Sequence, residues 1–163
     1  LPADYEATVV IAQHMDDQYI PSFIKRLDSV CKLSVEPLRE DEAVFSNRVY
    51  ICSSICELRK KGYQIVGSSS CKTCDYNPSV NKFFHSVAEI MQECKVLSII
   101  LTGIGADGAL GMQEIVSKGG RALVEDFESS VVYGMPLRAK ELNPQAKECS
   151  LDAIIENILE FDK

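Results

Sequence analysis

Val96-Leu97-Ser98-Ile99-Ile100-Leu101-Thr102-Gly103-Ile104-Gly105-Ala106-Asp107-Gly108-Ala109-Leu110-Gly111 is the stretch whose reading decides the fold of this chain. It opens with an apolar run whose length and branched residues suit a strand buried on both faces of a parallel sheet. It then breaks into four glycines within nine residues, set around one acid, Asp107. A helical pattern follows at once from Ala109 to Val116. Strand, glycine loop and helix form the repeating unit of open α/β sheets, which keep their chemistry at the carboxyl edge of the strands.

Two chemistries fit this loop. Gly103-Ile104-Gly105-Ala106-Asp107-Gly108 matches G-x-G-x-x-G, and Glu125 and Asp126 end the next strand-like run at about the ~20-residue offset of a ribose-binding acid. That is a dinucleotide reading. The alternative is a catalytic carboxylate on a glycine-lined turn whose backbone N–H groups face an oxyanion. Asp107 weighs against the first, because a carboxylate beside a pyrophosphate repels it.

Outward from the loop, the pattern alternates. Upstream, Ala7 to Ala12 reads as a β-rich strand followed directly by Gln13-His14-Met15, which places His14 at a carboxyl strand end. Pro21 opens a helix with Phe23, Ile24 and Leu27 on one face. Leu33-Ser34-Val35 and Arg48 to Cys52 are strand-like, and Glu57 to Val66, turning at Lys61-Gly62, reads as an antiparallel hairpin. Gly67-Ser68-Ser69-Ser70 has the look of a nucleophile turn but reads better as a polar loop, since nothing helical follows. Asn77-Pro78-Ser79-Val80 caps and opens an amphipathic helix reaching Met91, with His85 off its apolar face. Downstream, Lys118-Gly119-Gly120 stops a helix and Arg121 to Val124 is a strand. A short helix lies around Leu137 to Leu142, and a last helix from Asp152 to Phe161 shows Ile154, Ile155, Ile158 and Leu159 as an apolar stripe. The pattern predicts an α/β fold: a doubly wound, mostly parallel sheet with helices on both faces and the hairpin as an insertion.

The totals predict one domain over residues 1–163 with a real core. An apolar share of 46% with 25% charged residues is ordinary soluble composition, and no apolar run is long enough to span a membrane. A net charge of −7 with no basic stripe argues against nucleic acid as a partner. Seven cysteines without secretory features point to a reducing, cytoplasmic setting. Cys52-x3-Cys56 and Cys71-x2-Cys74 have a spacing that would clip a zinc ion, and equally suit small buried hydrophobes.

Ala12-Gln13-His14-Met15, Asn77-Pro78-Ser79-Val80, Ser86-Val87-Ala88, Leu101 to Ala109 and Ser129-Ser130-Val131-Val132-Tyr133-Gly134-Met135-Pro136 occur in the order of a known family. Together they resemble the catalytic domain of the chemotaxis protein-glutamate methylesterases, the CheB family, from about residue 8 to the end. The resemblance implies a cofactor-free serine hydrolase that removes methyl esters from glutamates on the cytoplasmic helices of chemoreceptors, with glutamine deamidation in some members. It implies His14 as the general base, Asp107 as the residue orienting the imidazole, and the Ile104 N–H as an oxyanion donor, in the triad logic shared by unrelated hydrolases.

The family's serine lies on a turn after a strand upstream of the histidine, and no such turn precedes His14 here. The expectation is therefore a trimmed esterase domain, without the nucleophile strand or the family's usual receiver domain, and with negligible activity by itself. A sheet lacking one strand also leaves a bare position, so a strand-mediated dimer is expected.

Overall fold

The computed structural model describes residues 1–69 and 77–161, which fall into two compact units, residues 1–79 and 80–161. In the first unit, β1 (Thr8–Ile11), β2 (Ser34–Pro37) and β3 (Arg48–Ile51) form a parallel sheet in the order β1-β3-β2. A short 3-10 turn, Asp17–Tyr19, leads from β1 into α1 (Ile20–Val30), with Pro21 in the first helical turn, where its missing N–H costs nothing. Phe23, Ile24 and Leu27 are half-buried on one side of α1, as their spacing predicts.

β4 (Glu57–Lys61) and β5 (Gln64–Ser68) make the expected antiparallel hairpin, and Gly62 turns it at φ +63°. β5 runs further than the sequence suggests. Gly67 and Ser68 are strand residues, not loop, because they continue the pairing with β4 opposite Leu58 and Glu57, and the segment before β3 closes on Gly67 from its other side: Gly67 N–H donates to Glu42 O at 3.0 Å, and Asp41 N–H to Gly67 O at 2.9 Å. A Cβ on Gly67 would lie 2.2 Å from Arg39 O, so only glycine permits the approach. The loop expected at Gly67–Ser68 is corrected accordingly, and Ser70 lies outside the described residues.

The second unit holds α2 (Val80–Glu89), β6 (Leu97–Ile100), α3 (Ala109–Ser117), β7 (Arg121–Glu125), α4 (Met135–Leu142), β8 (Lys147–Cys149) and α5 (Leu151–Phe161). Its three strands are parallel in the order β6-β7-β8. Strand alternation divides the sheet's side chains between two faces. Leu97, Ile99 and Leu123 pack with Cys149, Ile154 and Ile158 beneath α5. Ile100 lies on the other face, against Gly108 at the head of α3. The α/β expectation, mostly parallel with an antiparallel hairpin, is met.

Two local readings change. β8 was not expected, because Lys-Glu-Cys has little β-propensity; it exists by pairing to β7 at the sheet edge, where charged residues are well tolerated. On α5, Ile155 is 47% exposed while Asn157 is buried, its Nδ2 donating to Ala153 O at 2.7 Å. The helix turns the face of Ile154 and Asn157 inward, and Ile155 falls outside the apolar stripe assigned to it.

The closest helix packing in this unit gives a direct test. A Cβ on Gly111 would lie 2.6 Å from Phe84 Cβ and 2.7 Å from Asn81 O, so α2 and α3 touch through that glycine. Gly111→Ala is expected to destabilise the protein by about 1–3 kcal/mol, the range for overpacking. A urea midpoint that stays put or rises in the variant would refute this contact.

Candidate functional site

Asp107 is 2% exposed. A buried carboxylate is tolerable only when hydrogen-bonded, and its donors come from the opening turn of α2: Val80 N–H reaches Oδ2 at 2.7 Å and Asn81 N–H reaches Oδ1 at 2.9 Å. These are amides that a helix cannot satisfy internally, at its electropositive end. Asn81 closes the arrangement, since its Oδ1 accepts from Gly111 N–H at 3.0 Å in α3. The glycines on either side let the loop make the turn: Gly105 and Gly108 have φ +96° and +95°, and a Cβ on Gly108 would meet Val80 Cγ1 at 2.8 Å.

The front of the loop is fixed by the segment between β7 and α4. Gly103 N–H donates to Val132 O at 3.0 Å, and Gly103 O accepts from Gly134 N–H at 3.1 Å and Met135 N–H at 2.8 Å. Thr102 Oγ1 accepts from Val132 N–H at 2.7 Å. The crossing demands glycines, because a Cβ on Gly103 would lie 2.4 Å from Met135 Sδ and one on Gly134 2.6 Å from Gly103 O. In a trans peptide the N–H points opposite to the C=O. Tying Gly103 O on one side therefore aims the Ile104 N–H away from it. Ile104 is 80% exposed, and its N–H has no acceptor among the described residues.

Glu125 and Asp126 do not wait for a ribose. Glu125 is 3% exposed, and both oxygens are taken, Oε2 by Thr102 N–H at 2.7 Å and Oε1 by Ser129 Oγ–H at 3.1 Å. Asp126 Oδ1 accepts from Ser129 N–H at 2.9 Å, forming a side-chain turn. The glycines of the motif serve helix packing and loop crossing, so the dinucleotide reading is not favoured. Asn81, Thr102 and Ser129 were given no role by the sequence reading; Thr102 and Ser129 lie within the quoted motifs and Asn81 directly follows one, but the motifs do not announce what these residues hold.

In the first unit, His14 is half-buried three residues beyond β1, at the carboxyl end of that strand, and its carbonyl accepts from Gln13 Nε2 at 3.5 Å. Cys52 and Cys56 are buried, whereas Cys71 and Cys74 lie outside the described residues. Among the described residues no cluster of three or more His, Cys, Asp or Glu could hold a metal ion. His85 is exposed, as expected, with Nδ1 2.6 Å from Glu114 Oε2.

The first unit thus carries His14 beyond a parallel strand, and the second carries the buried Asp107 and the exposed Ile104 N–H on the loop after β6, in a mostly parallel α/β fold. The family model described as CheB methylesterase matches residues 1–158, and the chain belongs to that family. It is 34% identical over 160 residues to a protein-glutamate methylesterase/protein-glutamine glutaminase of Mesorhizobium japonicum, covering 98% of this chain and 47% of that protein. A second such protein, from Nitratidesulfovibrio vulgaris, is 37% identical over 140 residues, covering 83% of this chain and 38% of its own length. The chain thus spans less than half the length of these curated relatives. The crystal structure of the Thermotoga maritima CheB methylesterase catalytic domain superposes with a TM-score of 0.88 at 30% identity, over 99% of this chain and 87% of that one.

Tyr133 gives the site a spectroscopic handle. Its phenol donates to Glu148 Oε1 at 2.5 Å, and its ring meets Phe127 edge-on at 5.6 Å. That hydrogen bond, then desolvation and the negative charges of Glu148 and Asp126, push the Tyr133 phenol up to about 12. Raising an acid's value means the folded state holds the proton more tightly. Any stabilisation is present below the unfolded phenol value of about 10 and is lost as pH rises through the folded value. Phenolate absorbance should therefore show a step near pH 12, and Tyr133→Phe should remove that step. A late step that survives the substitution would contradict the assignment.

Proposed function

We propose that this domain hydrolyses glutamate γ-methyl esters on the cytoplasmic helices of chemoreceptors, with deamidation of glutamine side chains as the related reaction of the same site. The relatives named as methylesterase/glutaminase support both activities. The observation that carries the reading is the Gly103–Gly108 loop, which pairs a buried, backbone-held Asp107 with an exposed Ile104 N–H lacking an acceptor among the described residues.

In this reading the nucleophile is a serine from sequence that precedes the His14 strand in family members, outside these 163 residues. His14 removes the serine proton as the hydroxyl attacks the ester carbonyl, and the carbonyl oxygen gathers charge at the Ile104 N–H. The tetrahedral adduct expels methoxide, which takes the proton from His14 and leaves as methanol. Water, deprotonated by His14, then attacks the acyl-enzyme and frees the glutamate carboxylate and the serine. Asp107 keeps the imidazole in the productive tautomer and stabilises its cation. A carboxylate accepts about four hydrogen bonds, so this task is compatible with the two amides it already binds. No helix among the described residues is long and apolar enough to cross a membrane, and a cytoplasmic enzyme meeting the receptor's cytoplasmic part fits the reading.

β1 and β6 each end their sheet with one side unpaired among the described residues. That favours the strand-mediated dimer for the 163-residue chain, and light scattering should give a mass rising toward the dimer with concentration. A monomer at every concentration would dismiss it.

Methanol release from methylated chemoreceptor tests the activity. The complete natural protein should be active, and His14→Ala or Asp107→Ala should each lower kcat by at least about 10³-fold, the scale of losing a triad member. Full activity in either variant would defeat the assignment of roles.

A further inference from the structure

We propose that Glu125 is a positioning residue for the esterase reaction, setting the direction of the Ile104 N–H through Thr102. The inference rests on the esterase reading above and extends it to a residue that touches no substrate. Glu125 closes β7, whose neighbour β6 runs directly into the Gly103 loop, with Ile100 opposite Val124. Its buried Oε2 takes the Thr102 N–H at 2.7 Å, the short distance of a charge-assisted bond. Thr102 Oγ1 then holds Val132 N–H, Val132 O holds Gly103 N–H, and Gly103 O is held by Gly134 and Met135. Three successive peptide units leading to Ile104 are thus fixed, and the third carries the Ile104 N–H itself. The other oxygen of Glu125 holds Ser129 Oγ, anchoring the start of the segment that supplies these partners.

The burial of Glu125 makes this bond expensive to lose. Without the carboxylate, the Thr102 N–H loses its acceptor and a void opens beneath the loop. A donor displaced by about 1 Å can cost roughly 10²-fold in rate while leaving substrate binding almost intact. Glutamine can reproduce both contacts, its Oε1 accepting from Thr102 N–H and its Nε2–H donating to Ser129 Oγ, whereas alanine reproduces neither.

The test compares Glu125→Ala and Glu125→Gln in the complete natural protein, by methanol release and by amide hydrogen exchange. In E125A, kcat should fall by about 10²-fold with KM nearly unmoved. The Thr102 and Gly103 amides should exchange at least about ten times faster, while Met112 and Ile115 in α3 keep their rates. E125Q should restore both readouts to within a few-fold of wild type. Unchanged exchange at Thr102 and Gly103 in E125A, a loss of activity that glutamine does not restore, or a uniform rise in exchange through α3 would each overturn the proposal. A wild-type protein that released no methanol would count against the esterase reading alone, and the exchange comparison would still decide whether Glu125 holds the loop.

Discussion

The bond between the Asp107 carboxylate and the first amides of α2 is the constraint on which the second unit depends. A negative charge that is 2% exposed has to be met by donors, and Val80 and Asn81 supply them from the one place on a helix where amides are unclaimed. Meeting them brings the β6–α3 loop down onto α2. Gly108 then has to lie against Val80, and Gly111 against Phe84 and the Asn81 carbonyl. The spacing of those glycines records the contact distance between two helices and the reach of one carboxylate.

The other end of the loop is governed by peptide planarity. Once Gly134 and Met135 donate to Gly103 O, the following N–H has only one direction left, and it is the exposed one. Helix α4 begins within the same contact, since Met135 is its first residue and Gly134 precedes it. The backbone that opens α4 thus orients a donor in the β6–α3 loop. The motif Val132-Tyr133-Gly134-Met135-Pro136 therefore has a physical reason for each part: a backbone pair for Thr102 and Gly103, a phenol for Glu148, a glycine for the crossing, and a proline where a helix starts.

Much of this was legible in the sequence because its causes are local. The apolar run at β6, the turn at Gly62, Pro21 in the first turn of α1 and the stop after Ser117 are all written within a few residues of where they act. β8 was hidden because its strand character comes from its pairing with β7, and Lys-Glu-Cys carries none of its own. Gly67 and Ser68 read as a loop because Gly-Ser carries little strand preference of its own; pairing with Leu58 and Glu57 of β4, and for Gly67 also with the remote, irregular Arg39–Glu42 segment, makes them strand. The exposure of Ile155 and the burial of Asn157 were missed for a related reason: periodicity gives a stripe, while the neighbouring strands decide which edge of it faces inward. The helix expected to open at Val80 does begin there, but a carboxylate 27 residues further along holds the first α2 amide, and no local pattern announces that.

The same limit explains why G-x-G-x-x-G could not choose between two chemistries. The pattern specifies backbone freedom, and a pyrophosphate cradle and an oxyanion turn both need it. What separates them is where the nearby acids are spent. A ribose-binding acid has to keep its oxygens available beyond the second strand; Glu125 has given one to Thr102 N–H and the other to Ser129. A phosphate-binding loop has to offer its following helix terminus without competition; here a carboxylate sits within the loop and is committed to a different helix. Glu125 is held by the Thr102 amide and the Ser129 hydroxyl and Asp107 by two amides of α2, while the exposed Ile104 N–H has no acceptor among the described residues.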